Sequence, residues 1–146
     1  MTVTTFIARY EPALATQLRA ARRKMRAHFP RAFELVYDNY NALVFAFGPS
    51  LKSSELVLSL AAYPRWVSLF FAHGKSLPDP HKLLRGSGSQ IRHVVLESAK
   101  HLDAPPVRAL IKAAQARSSD ALKKAPKLST VIKSVSPTRR PRRPSK

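Results

Sequence analysis

The sequence predicts an α+β domain. It would hold an antiparallel sheet of about four strands, flanked on one face by N- and C-terminal helices, with a disordered basic tail behind it. Three observations predict this. Apolar residues recur at helical spacing near both ends of residues 1–118. Between those ends, apolar residues alternate in short runs broken by Gly, Pro and Asn. Beyond Ser118 both periods fade and basic residues accumulate. Helices at both ends of a strand block suit a layer of helices on one sheet face, leaving the other face for a ligand or partner.

Taken in order, residues 2–9 predict a short helix and residues 12–29 a longer one. Pro12 suits a first helical turn, where a missing N–H costs nothing. Leu14, Leu18, Met25 and Phe29 form one apolar stripe, and Pro30 ends it. Residues 39–47 read as a strand, with Leu43, Phe45 and Phe47 alternating before Gly48-Pro49. Residues 55–62 read as a second strand and Trp66–Ala72 as a third, paired through a turn at Tyr63-Pro64-Arg65. Gln90–Leu96 reads as the fourth. Asp103 then starts the last helix, with Val107, Leu110, Ile111 and Ala114 as its stripe. The expected core includes Leu14, Leu18, Leu58, Leu60, Leu69, Phe71, Val95, Leu110 and Ile111.

Charge is the outlier. The chain has 26 Lys+Arg against 8 Asp+Glu, a net of +18. Residues 1–118 carry +10 and residues 119–146 carry +8, so both parts attract polyanions. The absence of cysteine excludes disulfides and thiolate chemistry, and suits a cytoplasmic setting. No apolar run is long enough to span a membrane, and the start of the chain does not read as a signal peptide. Residues 119–146 hold 4 prolines and 7 Ser or Thr, with no glycine and no aromatic, so a flexible tail is expected there.

The segments VYDNYNALVFAFGP, YPRWVSLFF and LPDPHKLLRGSGSQIRHVVLES, taken in order, resemble the YdhG-like family, domain of unknown function 1801. The resemblance covers about residues 4–117 and implies a small bacterial cytoplasmic α+β domain. It implies no agreed catalytic residues and no cofactor. Some members of the wider family are similar in shape to frataxin and have been proposed as iron chaperones. That role needs an acidic surface to hold a hard cation. This chain instead sets Arg22, Arg23, Lys24 and Arg26 on its first long helix, and like charges repel.

Four groups of residues are candidates for function. In Leu77–His93, the run Arg85-Gly86-Ser87-Gly88-Ser89 offers backbone N–H groups and a guanidinium to a small anion, with Arg92 on the next strand. The same run also reads as a flexible turn, and it matches neither a Walker motif nor a dinucleotide fingerprint. Second, Tyr37, Tyr40, Tyr63 and Trp66, with Arg65, offer flat rings with polar tips. Those rings equally suit sheet packing, with Asp38 paired to a nearby arginine. Third, His81 and Asp79 are the one plausible acid–base pair, with Ser87 as the hydroxyl they would polarise. No G-x-S-x-G elbow accompanies them, and the five histidines show no metal-site spacing. Fourth, Lys123, Lys124, Lys127, Lys133, Arg139, Arg140, Arg142, Arg143 and Lys146 form a basic arm that would bind nucleic-acid phosphates without sequence choice, or simply stay solvated. The first expectation is thus a non-enzymatic module for a small anionic ligand or an acidic partner. Its site would be a concavity shared by the 85–89 loop with Arg65 or Trp66. The alternatives are a nucleic-acid-associated protein using the tail and helix 12–29, and an enzyme.

Overall fold

The computed structural model describes residues 1–145; Lys146 lies outside the described residues. The chain runs α1 (Val3–Ala8), α2 (Pro12–His28), β1 (Phe33–Asp38), β2 (Leu43–Gly48), β3 (Leu58–Ala62), β4 (Val67–Phe71), β5 (Arg92–Leu96), α3 (Pro105–Arg117), α4 (Ser119–Lys124) and β6 (Ser129–Val135). The α+β class stands, but the sheet has six strands, ordered β5-β4-β3-β2-β1-β6. Strands β1 to β5 form an antiparallel meander. Strand β6 then pairs parallel to β1 at the far edge. A parallel partner requires a long crossover, and the connection through α3 and α4 supplies it.

Local chemistry explains the helices. In α1, Thr2 and Thr5 cap each other, each side chain bonding the other's backbone N–H. In α2, Pro12 takes the first turn, and Leu14, Ala15, Leu18, Ala21 and Met25 are buried along one face. Phe29 leaves the helix and stacks on Phe47 of β2, ring centroids 5.2 Å apart. Its neighbour Pro30 disfavours a helical continuation.

Pairing register places one row of the core across the sheet. Val36 faces Phe45, Phe45 faces Leu60, Leu60 faces Leu69, and Leu69 faces Val94. All five are buried and pack with the helix stripes. The expected core holds except at Val95, which is 47% exposed. Strand side chains alternate, so choosing Val95 over Val94 puts the whole strand one residue out of phase.

Two expectations about elements need correction. Residues 33–38 were absent from the expected strand set, yet they form β1, the strand between β2 and β6. Residues 119–145 differ from a flexible tail: they supply α4 and β6, and then return to the β1–β2 turn. Their attachment is specific. The Ser136 N–H donates to the Asp38 carbonyl at 2.8 Å, and the Arg140 N–H to the Tyr40 carbonyl at 2.8 Å.

Candidate functional site

Strand β1 carries two buried carboxylates, Glu34 (0% exposed) and Asp38 (1%), both on the helix-covered side with Val36. Each is held by arginines from distant parts of the chain. Arg22 of α2 grips Glu34 with two donors, Nε and Nη2, at 2.8 Å each. Arg26 and the Thr130 hydroxyl of β6 also donate to Glu34. Burial pushes the Glu34 carboxyl up, but hydrogen bonds from Arg22 and Thr130 and the charges of Arg22 and Arg26 outweigh it. The net result lies below its ordinary value.

Asp38 is the anchor of the C-terminal segment. Its Oδ2 accepts from Arg9 Nη1 at 2.9 Å and Arg139 Nε at 3.2 Å, and its Oδ1 accepts from Arg142 Nη2 at 2.9 Å. Arg142 also donates to the Tyr40 and Asn39 carbonyls and lies over the Tyr10 ring. It is 4% exposed. Arg139 and Arg142 were expected in a basic arm that binds nucleic acid or stays solvated; the structure turns both inward onto Asp38 instead. A buried carboxylate needs paired charge, and Asp38 takes it from these two residues and Arg9. Lys123, Lys124, Lys127 and Lys133 are exposed on α4, the following turn and β6.

That anchoring carries Arg140 and Arg143 to the β3–β4 turn. There, Asn41, Tyr63, Pro64, Arg65 and Trp66 face Arg140, Pro141, Arg143, Pro144 and Ser145 across a cleft of about 910 Å³. Tyr63 and Trp66 stack with centroids 5.0 Å apart, and Trp66 remains 41% exposed. Arg143 Nε donates to the Arg9 carbonyl at 3.2 Å. Among the described residues the Arg65 and Arg140 side chains have no hydrogen-bond or ion-pair partner, and no carboxylate lines the cleft. A ring face beside three guanidinium groups can receive an anion that also carries a flat apolar part.

The 77–93 loop does something else. Asp79 accepts the Leu83 and Leu84 backbone N–H groups, one on each carboxylate oxygen, at 2.9 Å. This stabilises a turn in which Lys82 takes φ 53°. The Asp79–His81 acid–base pair is therefore not assembled: Asp79 is committed to backbone, and exposed His81 makes no hydrogen bond to it. Arg85 is exposed, and its backbone exchanges two hydrogen bonds with His93. Arg92 Nη1 donates to the Gly88 carbonyl at 2.6 Å and to the Ile91 carbonyl at 2.8 Å. So the loop's carbonyls receive an arginine of their own, where an anion cradle would need converging N–H groups. Gly86 takes φ 121°, a backbone that favours glycine. Ser87, Gly88 and Ser89 are exposed.

The expected concavity shared by this loop and Trp66 is also corrected. The loop joins the Phe71 end of β4, whereas Arg65 and Trp66 precede Val67 at its other end. The five residues of β4 separate them by roughly 15 Å, at about 3.3 Å per residue. Arg65 and Trp66 instead share a cleft with residues between Arg140 and Ser145.

No protein-family model matches the chain, and neither does any curated protein or solved structure. No helix among the described residues is long and apolar enough to cross a membrane. No cluster of three or more His, Cys, Asp or Glu among them has the arrangement of a metal site.

Sequence reasoning found Arg65, Trp66, Arg140 and Arg143 but assigned them to separate sites. It missed Glu34 and Arg9. The one local signal for Glu34 was its place four residues before Asp38 in an otherwise apolar segment, which sets both on one side of a strand.

Proposed function

We propose that this chain is a non-enzymatic, cytoplasmic bacterial binding module of the YdhG-like type, and that the Arg65–Trp66–Arg140–Arg143 cleft takes an anionic ligand. The observation that carries the reading is a pair of guanidinium groups, Arg65 and Arg140, that have no partner among the described residues and line a cleft with an exposed tryptophan. Elsewhere on the sheet, arginines meet carboxylates: Glu34 and Asp38 each accept donors from several guanidinium groups. Among the described residues the cleft has the donors without a carboxylate, so an incoming anion supplies the charge they lack.

Trp66 is the chain's single tryptophan, so its emission reports on the cleft directly. Titration with inorganic pyrophosphate should change that emission and saturate. Replacing either arginine, Arg65→Ala or Arg140→Ala, should weaken binding about 10- to 150-fold, the worth of a hydrogen bond to a charged group. Arg85→Ala should leave it unchanged. Unaltered binding in the Arg65→Ala/Arg140→Ala double variant would put the anion elsewhere and end this reading.

A further inference from the structure

We propose that the cleft is one end of a binding track for single-stranded nucleic acid, whose other end is the arginine face of α2. The proposal rests on the reading of the cleft as an anion site and names its ligand class. A second groove, of about 340 Å³, is lined by Ile7, Arg19, Arg22, Arg23 and Arg26. These four arginines fall at helical spacings of three and four, which puts them on one face of α2. Arg22 and Arg26 are engaged by Glu34. Arg19 and Arg23 are exposed and have no hydrogen-bond or ion-pair partner among the described residues.

The end of α1 joins the two grooves. Ile7 lines the second groove, and two residues later the Arg9 carbonyl accepts Arg143 from the first. Beneath this junction, Glu34 and Asp38 lie about 13 Å apart along β1, at about 3.3 Å per residue, and both are buried under arginines. Over residues 7–26 the one carboxylate is Glu11, against Arg9, Arg19, Arg22, Arg23, Lys24 and Arg26. The surface therefore presents positive charge in succession from the cleft to α2.

Among the described residues, five guanidinium groups lie free or nearly free along this path: Arg65, Arg140 and Arg143 in the cleft, Arg19 and Arg23 on the helix. One small anion occupies a single groove and leaves the other unused. A chain of phosphates engages both. Trp66 adds a ring on which a base can stack, and a base reaches such a ring only when it is not already stacked in a duplex. An acidic peptide would use the arginines but gain nothing particular from Trp66.

The test uses a fluorescently labelled 12-mer of deoxythymidine with the full chain, read by anisotropy and by Trp66 emission. Binding should weaken with salt at a log–log slope of about −3.5, five phosphates at about −0.7 each for single strands. Trp66 emission should be quenched at saturation, and Trp66→Ala should weaken binding about five- to 150-fold, the range for one base stack. The exposed-site variant Arg19→Glu/Arg23→Glu should weaken the oligonucleotide at least tenfold and reduce the slope by about 1.4. It should still bind pyrophosphate as before, which also shows that it folds. If pyrophosphate binds but the 12-mer does not, or binds without quenching Trp66, the nucleic-acid proposal is overturned while the anion cleft stands. An Arg19→Glu/Arg23→Glu variant with an unchanged salt slope overturns the track. Absence of pyrophosphate binding by the wild-type chain overturns the cleft itself.

Discussion

Asp38 shows how one side chain decides the position of a distant segment. Its partner Arg142 lies 104 residues away and is nearly as buried as Asp38 itself. Removing one member of a buried ion pair leaves the other uncompensated, which is worse than never having had the pair. Asp38→Ala should therefore cost about 3–5 kcal/mol, measured as a fall in unfolding free energy in urea. A loss below about 1 kcal/mol would mean that water replaces the carboxylate and that Arg142 is not committed to it. Leu18, fully buried at the centre of α2, offers an apolar comparison: Leu18→Ala should cost about 2–5 kcal/mol through lost burial and the cavity left. Gly74 is constrained by space. A Cβ there would sit 2.5 Å from the Arg92 Cβ and 2.8 Å from the Arg92 backbone N, at the start of β5. Gly74→Ala should displace the end of β5 and raise amide exchange at Lys75, whose N–H bonds the Gln90 carbonyl.

At the scale of elements, β6 closes an edge. It pairs β1, contributes Thr130 to Glu34, and leads to the residues that hold Asp38. Deleting 129–146 would bare the β1 edge, take the Thr130 hydroxyl from Glu34 and leave Asp38 with Arg9 alone. Melting temperature should fall by about 6–12 °C, corresponding to a loss of about 3 kcal/mol. Size-exclusion chromatography should show concentration-dependent association through the bare edge. A truncated chain that melts with the full one and stays monomeric would mean that β6 is dispensable. Most of the meander was legible because Leu43, Phe45 and Phe47, then Leu58 and Leu60, alternate openly. Strand β1 was not, since Glu34 and Asp38 occupy inward positions where an apolar residue is the usual sign of a strand. Strand β6 was hidden by composition: exposed Thr130, Lys133 and Ser134 and a Pro/Arg-rich sequel resemble an unstructured arm when read alone. The cleft was half legible for the same reason. Arg65 and Trp66 are conspicuous beside a turn, but what faces them depends on Asp38 capturing Arg142, a non-local event with no local signature.

For the whole molecule, two buried groups bound the pH range of stability. Glu34 has a lowered value in the folded protein. Its contribution is present above the ordinary value of 4.5 and is lost as pH falls through the folded one. Tyr10 is the alkaline counterpart. Burial pushes its hydroxyl up to about 12, more than the nearby Arg142 charge and the Leu43 N–H bring it down. Its contribution is present below 10 and is lost as pH rises towards 12. Urea midpoints should thus fall at both extremes, and should also begin to decline below about pH 6.5, because burial and the Arg108 and Lys112 charges lower the His28 imidazole so that the unfolded chain takes up that proton first. Glu34→Gln should flatten the acid side, and Tyr10→Phe the alkaline side. An acid limb unchanged in Glu34→Gln would assign that transition to other carboxylates.

The parallel pairing of β6 with β1 also sets an order of events in time. At ribosomal rates of about 5–20 residues per second, the 104 residues between Asp38 and Arg142 take roughly 5–20 s to emerge. Through that interval the meander can form and Arg9, Arg22 and Arg26 can reach the two carboxylates, but the β1 edge stays bare, and Thr130, Arg139 and Arg142 are not yet made. Contacts of such high sequence separation slow folding, because loop closure precedes any gain. A nascent chain is therefore open, for seconds, to accepting the last strand of a neighbouring copy, and domain-swapped dimers are the misassembly this topology favours.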